Sequence, residues 1–192
     1  MKLNLANLGL IVAVYILAIG NSHAQAEVKP DGTLGTAVSP GSGSNSYNIT
    51  GGTAVGNNLF HSFQQFSIPT GGSATFNSTS GIQNIFSRVT GGDVSYINGS
   101  IKTNSGVNLF LLNPAGIIFG DKAQLKVGGS FIGTTANSIK FADGNEFTVN
   151  PMTTPLLTMN VPIGLQMGSN SGAINVYGAK LAVPAKNTFA LV

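Results

Sequence analysis

Between residues 82 and 134, short apolar segments alternate with turn dipeptides, and this pattern constrains the fold more than any other feature of the sequence. Pairs such as Gly91-Gly92 and Asn98-Gly99 separate the apolar segments, and no heptad or long helical period is visible. Short, closely spaced segments bounded by turns are typical of an all-β chain. Their spacing alone does not separate a β-sandwich from a parallel β-helix, whose coils are short strands joined by corners.

One corner in this region has a well-defined geometry. The apolar runs 109–112 and 117–119 flank an Asn-Pro-Ala-Gly break at residues 113–116. Asn at the first position of a turn, Pro at the second and Gly at the fourth are the preferences of a type I turn. Proline also fixes its own φ and cannot continue a ladder of hydrogen bonds. The sequence therefore predicts a strand, a fixed corner and a second strand.

Three phenylalanines near the start of the chain form a second pattern. Phe60, Phe63 and Phe66 are spaced by three, which also matches a helix face, but Pro69 and the glycines after it favour a strand. We expect the three rings to pack together in the core. The polar, turn-rich segment 27–58 before them is expected to supply irregular strands, and with the rings it would form an N-terminal cap.

The composition limits the functions that the chain can have. Only 8% of the 192 residues are charged, and the formal net charge is +3. The lysines are scattered along the sequence and form no basic run, so nucleic-acid binding is not supported. The absence of cysteine excludes disulfides, so the fold alone must stabilise the chain.

No constellation of catalytic or metal-binding residues is visible, so we predict no enzyme activity, no cofactor and no metal site. After removal of the N-terminal segment, His61 is the only histidine, and the six acidic residues are scattered. Asp143 and Glu146 are near neighbours, but a turn aspartate and a solvated glutamate explain them better than an acid–base pair. Arg88, the only arginine, is expected in a solvated position or in an ion pair at the edge of the core.

Residues 1–26 have the features of a secretory signal. Lys2 is followed by a dense apolar run at 8–19, which is shorter than the roughly 20 residues that a membrane span needs. Ala24-Gln25-Ala26 fits a small-x-small cleavage site, which places the mature start near Glu27.

Several segments, in order, resemble the filamentous haemagglutinin N-terminal domain, the secretion domain of two-partner secretion exoproteins. Residues 113–117 closely resemble its Asn-Pro-Asn-Gly-Ile signature, with Ala115 in place of the second asparagine. Residues 58–66, 82–92 and 128–136 resemble three further segments of the family, whereas the Asn-Pro-Asn-Leu motif of some members is absent. The residues that carry the signature are Asn113, Pro114, Ala115, Gly116 and Ile117.

The resemblance implies a right-handed parallel β-helix with an N-terminal cap and extra-helical strands, formed by residues 27–192. It implies a secretion-targeting and fold-nucleating module that an outer-membrane β-barrel transporter with POTRA domains recognises. The signature would serve either this recognition or the folding of the domain. The protein would then be secreted, or held at the cell surface of a Gram-negative-type bacterium, after passing through the periplasm. Because the apolar segments 181–183 and 189–192 look like an unfinished coil, we expect the chain to be an N-terminal piece of a longer exoprotein or a truncated gene product. A host or matrix ligand would then be bound by the C-terminal body of that exoprotein.

Two other functions remain open. A surface carbohydrate-binding or carbohydrate-active β-helix needs clusters of carboxylates or basic groups along one face, which this sequence nearly lacks. A self-assembling structural solenoid would form fibres from the isolated mature chain.

The signal assignment is directly testable. Because the cleavage site follows a short apolar run, N-terminal sequencing of exported protein should begin near Glu27. An exported protein that still carries Lys2 would overturn the assignment.

Overall fold

The computed structural model describes residues 27–150 and 157–192, so the predicted signal at 1–26 lies outside the described residues. These two ranges form an all-β structure without a helix, and hence without a helix that could cross a membrane. Eighteen strands are present in them. They are β1 (Val28–Pro30), β2 (Thr36–Pro40), β3 (Ser46–Gly51), β4 (Thr53–Val55), β5 (Asn58–Phe66), β6 (Ser73–Phe76), β7 (Asn84–Val89), β8 (Ser95–Ile97), β9 (Ser100–Ser105), β10 (Asn108–Leu112), β11 (Ile117–Phe119), β12 (Gln124–Gly128), β13 (Phe131–Thr134), β14 (Ser138–Phe141), β15 (Glu146–Thr148), β16 (Pro162–Gln166), β17 (Ile174–Val176) and β18 (Phe189–Leu191).

Successive coils of the chain stack on three sheets. Sheet A has the order β1-β5-β7-β10-β13-β18, sheet B the order β12-β9-β6-β3-β2, and sheet C the order β17-β11-β8. Each coil passes through sheet A, sheet C and sheet B in turn, and successive coils pair in parallel. In the first coil, a single parallel bridge from Ile68 to Ile97 takes the place of a strand in sheet C. The protein is therefore a parallel β-helix of about three turns, and the sandwich alternative is excluded.

The core lies inside the coils because side chains alternate between the two faces of each strand. On sheet A, Leu59, Ile85, Leu109 and Phe131 lie in register on consecutive strands, and all four are buried. Full burial of a side chain of this size contributes about 1.5 to 3 kcal/mol. Each coil thus adds one layer to a continuous apolar stack.

Antiparallel strands cover the first coil, as the sequence predicts for the N-terminal segment. Strands β1 and β4 pair antiparallel with β5, and β2 pairs antiparallel with β3. Strand β3 itself is already part of the solenoid, since it pairs in parallel with β6. The cap therefore protects edges of sheets A and B that would otherwise be exposed.

The prediction that the three early phenylalanines form one cluster is wrong for Phe60. All three lie on β5, but Phe63 and Phe66 pack with Phe76 inside the coils, whereas Phe60 points to the outer face of sheet A. An odd spacing on a regular strand places residues on opposite faces. Phe63 and Phe66 share a face because the pairing of β5 with β1 is irregular around Gln64.

Strands β14, β15 and β16 lie outside the solenoid, as the resemblance to the family implies for some strands. Strands β14 and β15 form an antiparallel hairpin, and β16 pairs antiparallel with β14 to complete an extra-helical sheet D. Phe141 and Phe147 of this sheet pack on Phe60 and Phe86, with ring centroids 5.1 to 6.2 Å apart. Sheet D thus covers the outer face of sheet A. Strands β17 and β18 then return to sheets C and A.

A ladder of asparagines, which the sequence analysis missed, aligns the first three coils. Asn84 Nδ2 donates to Asn58 Oδ1 and Asn108 Nδ2 donates to Asn84 Oδ1, both at 2.9 Å, while Asn108 Oδ1 accepts the backbone N–H of Ser130 at 2.8 Å. The signal in the sequence is a repeated Asn-Leu/Ile-Phe tripeptide at residues 58, 84 and 108. The ladder fixes the register between coils, because a slip would break every one of these bonds.

His61, the only histidine among the described residues, is buried in the core rather than placed for catalysis. His61 is fully buried between Phe63 and Phe76; its Nδ1 lies 3.3 Å from the hydroxyl of Thr36, and its Nε2 has no partner among the described residues. Burial lowers the pKa of His61 to about 4.

We expect the free energy of unfolding to decrease as the pH is lowered, because the folded protein buries His61 uncharged. The unfolded chain binds a proton at the ordinary pKa of about 6.5, whereas the folded protein does so only near pH 4. The contribution of His61 to the free energy of unfolding is therefore fully present above pH 6.5. It is lost as the pH falls to 4, at about 1.4 kcal/mol per pH unit and about 3 kcal/mol in all. Denaturant titrations at several pH values give the free energy of unfolding. Between pH 6.5 and 4 it should fall more steeply with decreasing pH in the parent than in His61→Phe, whose residue 61 does not titrate. Equal slopes would contradict the assignment.

Candidate functional site

The predicted corner at residues 113–116 is present between β10 and β11. The N–H of Gly116 donates to the carbonyl of Asn113 at 3.0 Å, which closes the turn. Ala115 does not have a positive φ, so the type II and primed turns are excluded and the type I prediction is confirmed. The corner redirects the chain from sheet A into sheet C.

The side chain of Asn113 joins the third coil to the second. It is 1% exposed, and its Nδ2 donates to the carbonyl of Asp93 and to the hydroxyl of Ser95, both at 2.9 Å. Its Oδ1 accepts the N–H of Ala115 at 3.0 Å, which is the local bond by which asparagine favours turns. All of its polar atoms are thus used inside the fold.

Gly116 and Ile117 connect the corner to its neighbours on both sides. Gly116 has a φ of 125°, and a Cβ there would lie 3.0 Å from the carbonyl oxygen of Ala173, so glycine is required. Its carbonyl accepts the N–H of Ser95 at 3.0 Å, and the N–H of Ile117 donates to Ala173 at 3.1 Å. Ile117 is fully buried. The corner therefore contacts the second and the fourth coils at once.

Pro114 and Ala115 are the half-exposed part of the signature. With Thr90, Asn137 and Val149 they line a groove of about 500 Å³ between the corner and sheet D. In the folded protein a partner could touch these two residues but not Asn113 or Ile117. The structure thus divides the predicted motif into a buried part and an accessible part.

Asn98 has a matching role at the corner between sheets C and B, and the sequence analysis did not single it out. It is buried; its Nδ2 donates to Thr70 Oγ1 at 2.7 Å, and its Oδ1 accepts the N–H of Lys122 at 3.0 Å. These bonds connect the first, second and third coils. Asn98 is therefore a buried corner asparagine outside the signature, and it provides a natural control for Asn113.

The prediction of a solvated or core-edge Arg88 is wrong. The side chain is 1% exposed, because it lies on the outer face of sheet A under sheet D. Its Nε donates to Ser62 Oγ at 2.8 Å, and that hydroxyl donates to Asp31 Oδ2 at 2.5 Å. The guanidinium also donates to the carbonyl of Thr148 on β15 and to Thr33 Oγ1, the latter at 3.4 Å. Arg88 thus links the cap, two coils and sheet D.

Burial and hydrogen bonding shift the pKa values of the two charged groups in this network. Desolvation lowers the pKa of Arg88, and the nearby Asp31 carboxylate opposes that shift. Burial alone would raise the pKa of Asp31, but hydrogen bonds from Ser62, Thr33 and Thr90 outweigh it and hold that pKa below its usual value. The arrangement is that of a structural clamp, with no group poised for proton transfer.

Metal chemistry finds no support in the described ranges, which contain no group of three or more His, Cys, Asp or Glu side chains that could hold an ion.

The comparison with protein families then identifies the chain. The model of the TPS secretion domain matches residues 26–192. The chain belongs to this family. A search of curated proteins finds no match.

TPS secretion domains are parts of exoproteins that Gram-negative bacteria export by two-partner secretion, each through a partner transporter in the outer membrane. The family is not enzymatic. The match covers the solenoid, the cap and sheet D together, so all of these elements belong to the secretion domain.

We expect Asn113→Ala and Asn98→Ala to lower the free energy of unfolding by about 2 to 3 kcal/mol each. Each variant loses two or three side-chain hydrogen bonds at a buried corner, and each bond contributes about 1 kcal/mol net. Denaturant unfolding measures the effect. Asn137→Ala, which changes an exposed asparagine, should change stability by less than about 0.5 kcal/mol. A small loss for Asn113→Ala would show that the corner does not depend on its side chain.

Proposed function

We propose that residues 27–192 act as the secretion-targeting and fold-nucleating module of a two-partner secretion exoprotein. An outer-membrane β-barrel transporter with periplasmic POTRA domains recognises the module after the signal peptide is removed. The observation that carries the proposal is the signature corner of a TPS secretion domain, bonded to the coils before and after it. In this proposal a host or matrix ligand is bound by other parts of the exoprotein.

The physical properties of the chain suit export in an unfolded state. No cysteine is available to close a covalent loop. Partners in the asparagine ladder are 22 to 26 residues apart in sequence, so pairing of the coils is non-local. Non-local parallel pairing forms slowly, which leaves the chain open during passage through the periplasm. An unfolded chain of short apolar strands can also add to a sheet edge of the transporter.

The clamp around Arg88 delays completion of the fold further. The guanidinium can be buried without a large cost only when Thr148 has arrived to accept its hydrogen bond and Asp31 lies nearby. Phe60 and Phe86 likewise remain uncovered until sheet D packs on them. The first coils are therefore complete only after Thr148 has emerged, and the finished structure then offers a template for further coils.

Secretion of Asn113→Ala and Pro114→Ala by cells that carry the transporter tests the proposal. We expect the secreted yield of both to fall several-fold relative to the parent. Asn98→Ala is the matched control, since it removes a buried corner asparagine outside the signature. Cell-associated protein should accumulate in the periplasm when recognition fails.

The control separates recognition from folding. A loss of secretion for the signature variants, with near-normal secretion of Asn98→Ala at equal loss of stability, supports recognition through the signature. Equal losses for Asn113→Ala and Asn98→Ala would show that Asn113 acts through the fold alone. Normal yields of both signature variants would overturn the targeting role.

A further inference from the structure

Stacking of the coils brings together lysines that are far apart in sequence. Lys102 on β9 and Lys126 on β12 are register partners in sheet B, with Cα atoms one strand spacing apart, about 4.8 Å. Their neighbours Ile101 and Leu125 pack toward the core, so both lysines face outward. Like charges directly opposite each other on neighbouring strands are destabilising. The sheet therefore carries an unfavourable pair that an anionic partner would relieve.

Two more lysines line a groove beside this pair. The groove has a volume of about 460 Å³; one wall is the segment 121–126, which includes Lys122, and the other wall contains Gly178, Lys180 and Ala182. Asp121, which pairs with Lys122 at 2.9 Å, is the only acidic residue that lines it. Lys180 is exposed because Ala179 and Leu181 on either side pack against the core.

The charge of the described residues is concentrated on this surface. The formal charge of this surface is +3, from four lysines and one aspartate: Lys102, Lys122, Lys126, Lys180 and Asp121. The remaining charged groups of residues 27–192, four cations and five anions, sum to −1. The surface is thus positive while the rest of the protein is slightly negative, an arrangement that steers anions to one place.

The backbone along the groove is also available. Strand β12 is the last strand of sheet B. The N–H of Gln124 donates to Gly99 of the preceding coil, so the alternation of a parallel ladder directs the N–H of Leu125 toward the groove. In the described structure no backbone hydrogen bond joins segment 178–183 to β12. An extended chain could therefore pair with this edge.

We propose that the groove binds an extended acidic peptide segment, which adds to β12 as a strand and places its carboxylates beside the four lysines. Charge complementarity and the open backbone edge both fit this occupant. A second copy of this protein is disfavoured, because its own β12 edge carries the same lysines and would be repelled. A polyanion without a peptide backbone would satisfy the lysines but leave the edge unpaired.

A synthetic peptide of alternating glutamate and valine, titrated into the purified protein, tests the proposal. Hydrogen exchange at the Leu125 amide reports strand addition, and the affinity of the peptide for lysine variants reports the contribution of the charges. We expect Leu125 to become protected on binding, and Lys126→Gln/Lys180→Gln to weaken binding about tenfold, since each exposed pair is worth a factor of roughly 1.5 to 5. The matched control is Lys29→Gln/Lys186→Gln, which removes two exposed lysines outside the groove and should leave the affinity unchanged.

Two further probes distinguish strand addition from simple charge attraction. The same peptide N-methylated on all of its amides keeps its charge but can pair with β12 through neither edge, and inorganic polyphosphate has charge without a backbone. Loss of binding by the N-methylated peptide supports the proposal. Equal binding of the two peptides, or binding of polyphosphate alone, would overturn strand addition. Strong protection of Leu125 in the free protein would also overturn it, because segment 178–183 would then already close the edge.

Discussion

Parallel register between successive coils is the constraint on which the rest of this structure depends. Each coil is only a few short strands and buries its apolar face only when the next coil lies directly on it. The asparagine ladder through Asn84 and the corner asparagines Asn113 and Asn98 hold that register by bonds that a one-residue slip would break. Polar groups at the corners and along one ladder thus specify the alignment, while the stacked apolar residues supply most of the stabilisation.

The outer face of sheet A imposes a second requirement. This face carries Phe60, Phe86 and Arg88. The two rings would be exposed to water without a covering element, and a buried guanidinium is costly unless its hydrogen bonds are made. Sheet D covers the two rings, and its Thr148 carbonyl accepts a hydrogen bond from the guanidinium. The N-terminal cap reaches the same arginine through Asp31 and Ser62. The N-terminal cap and sheet D, which are far apart in sequence, therefore meet at one buried charge, which couples their folding.

Burial divides the signature into two parts. Asn113 and Ile117 are buried and act within the fold, whereas Pro114 and Ala115 border an open groove. In an unfolded chain all of them are accessible, so a transporter that binds the chain before it folds could contact residues that are buried in the folded protein. The lysine groove on sheet B is different in kind, because it exists only after the coils have stacked and offers a surface to partners of the folded domain.

The sequence by itself determined the strands, the corner and the family. Apolar runs between turn residues are local signals, and an Asn-Pro-Ala-Gly break predicts its own turn because proline and asparagine act within a few residues. The odd spacing of Phe60 from Phe63 could have shown that they face opposite sides, but the irregular pairing around Gln64 depends on β1. Only the tertiary structure decided that Arg88 is buried and that Lys102 lies beside Lys126. The burial of Arg88 depends on the return of β15 across 60 residues, which no local pattern encodes. The 24-residue offset of the two lysines matches the spacing of the repeated Asn-Leu/Ile-Phe tripeptide, but that repeat can be read as a coil length only once the segments are known to stack.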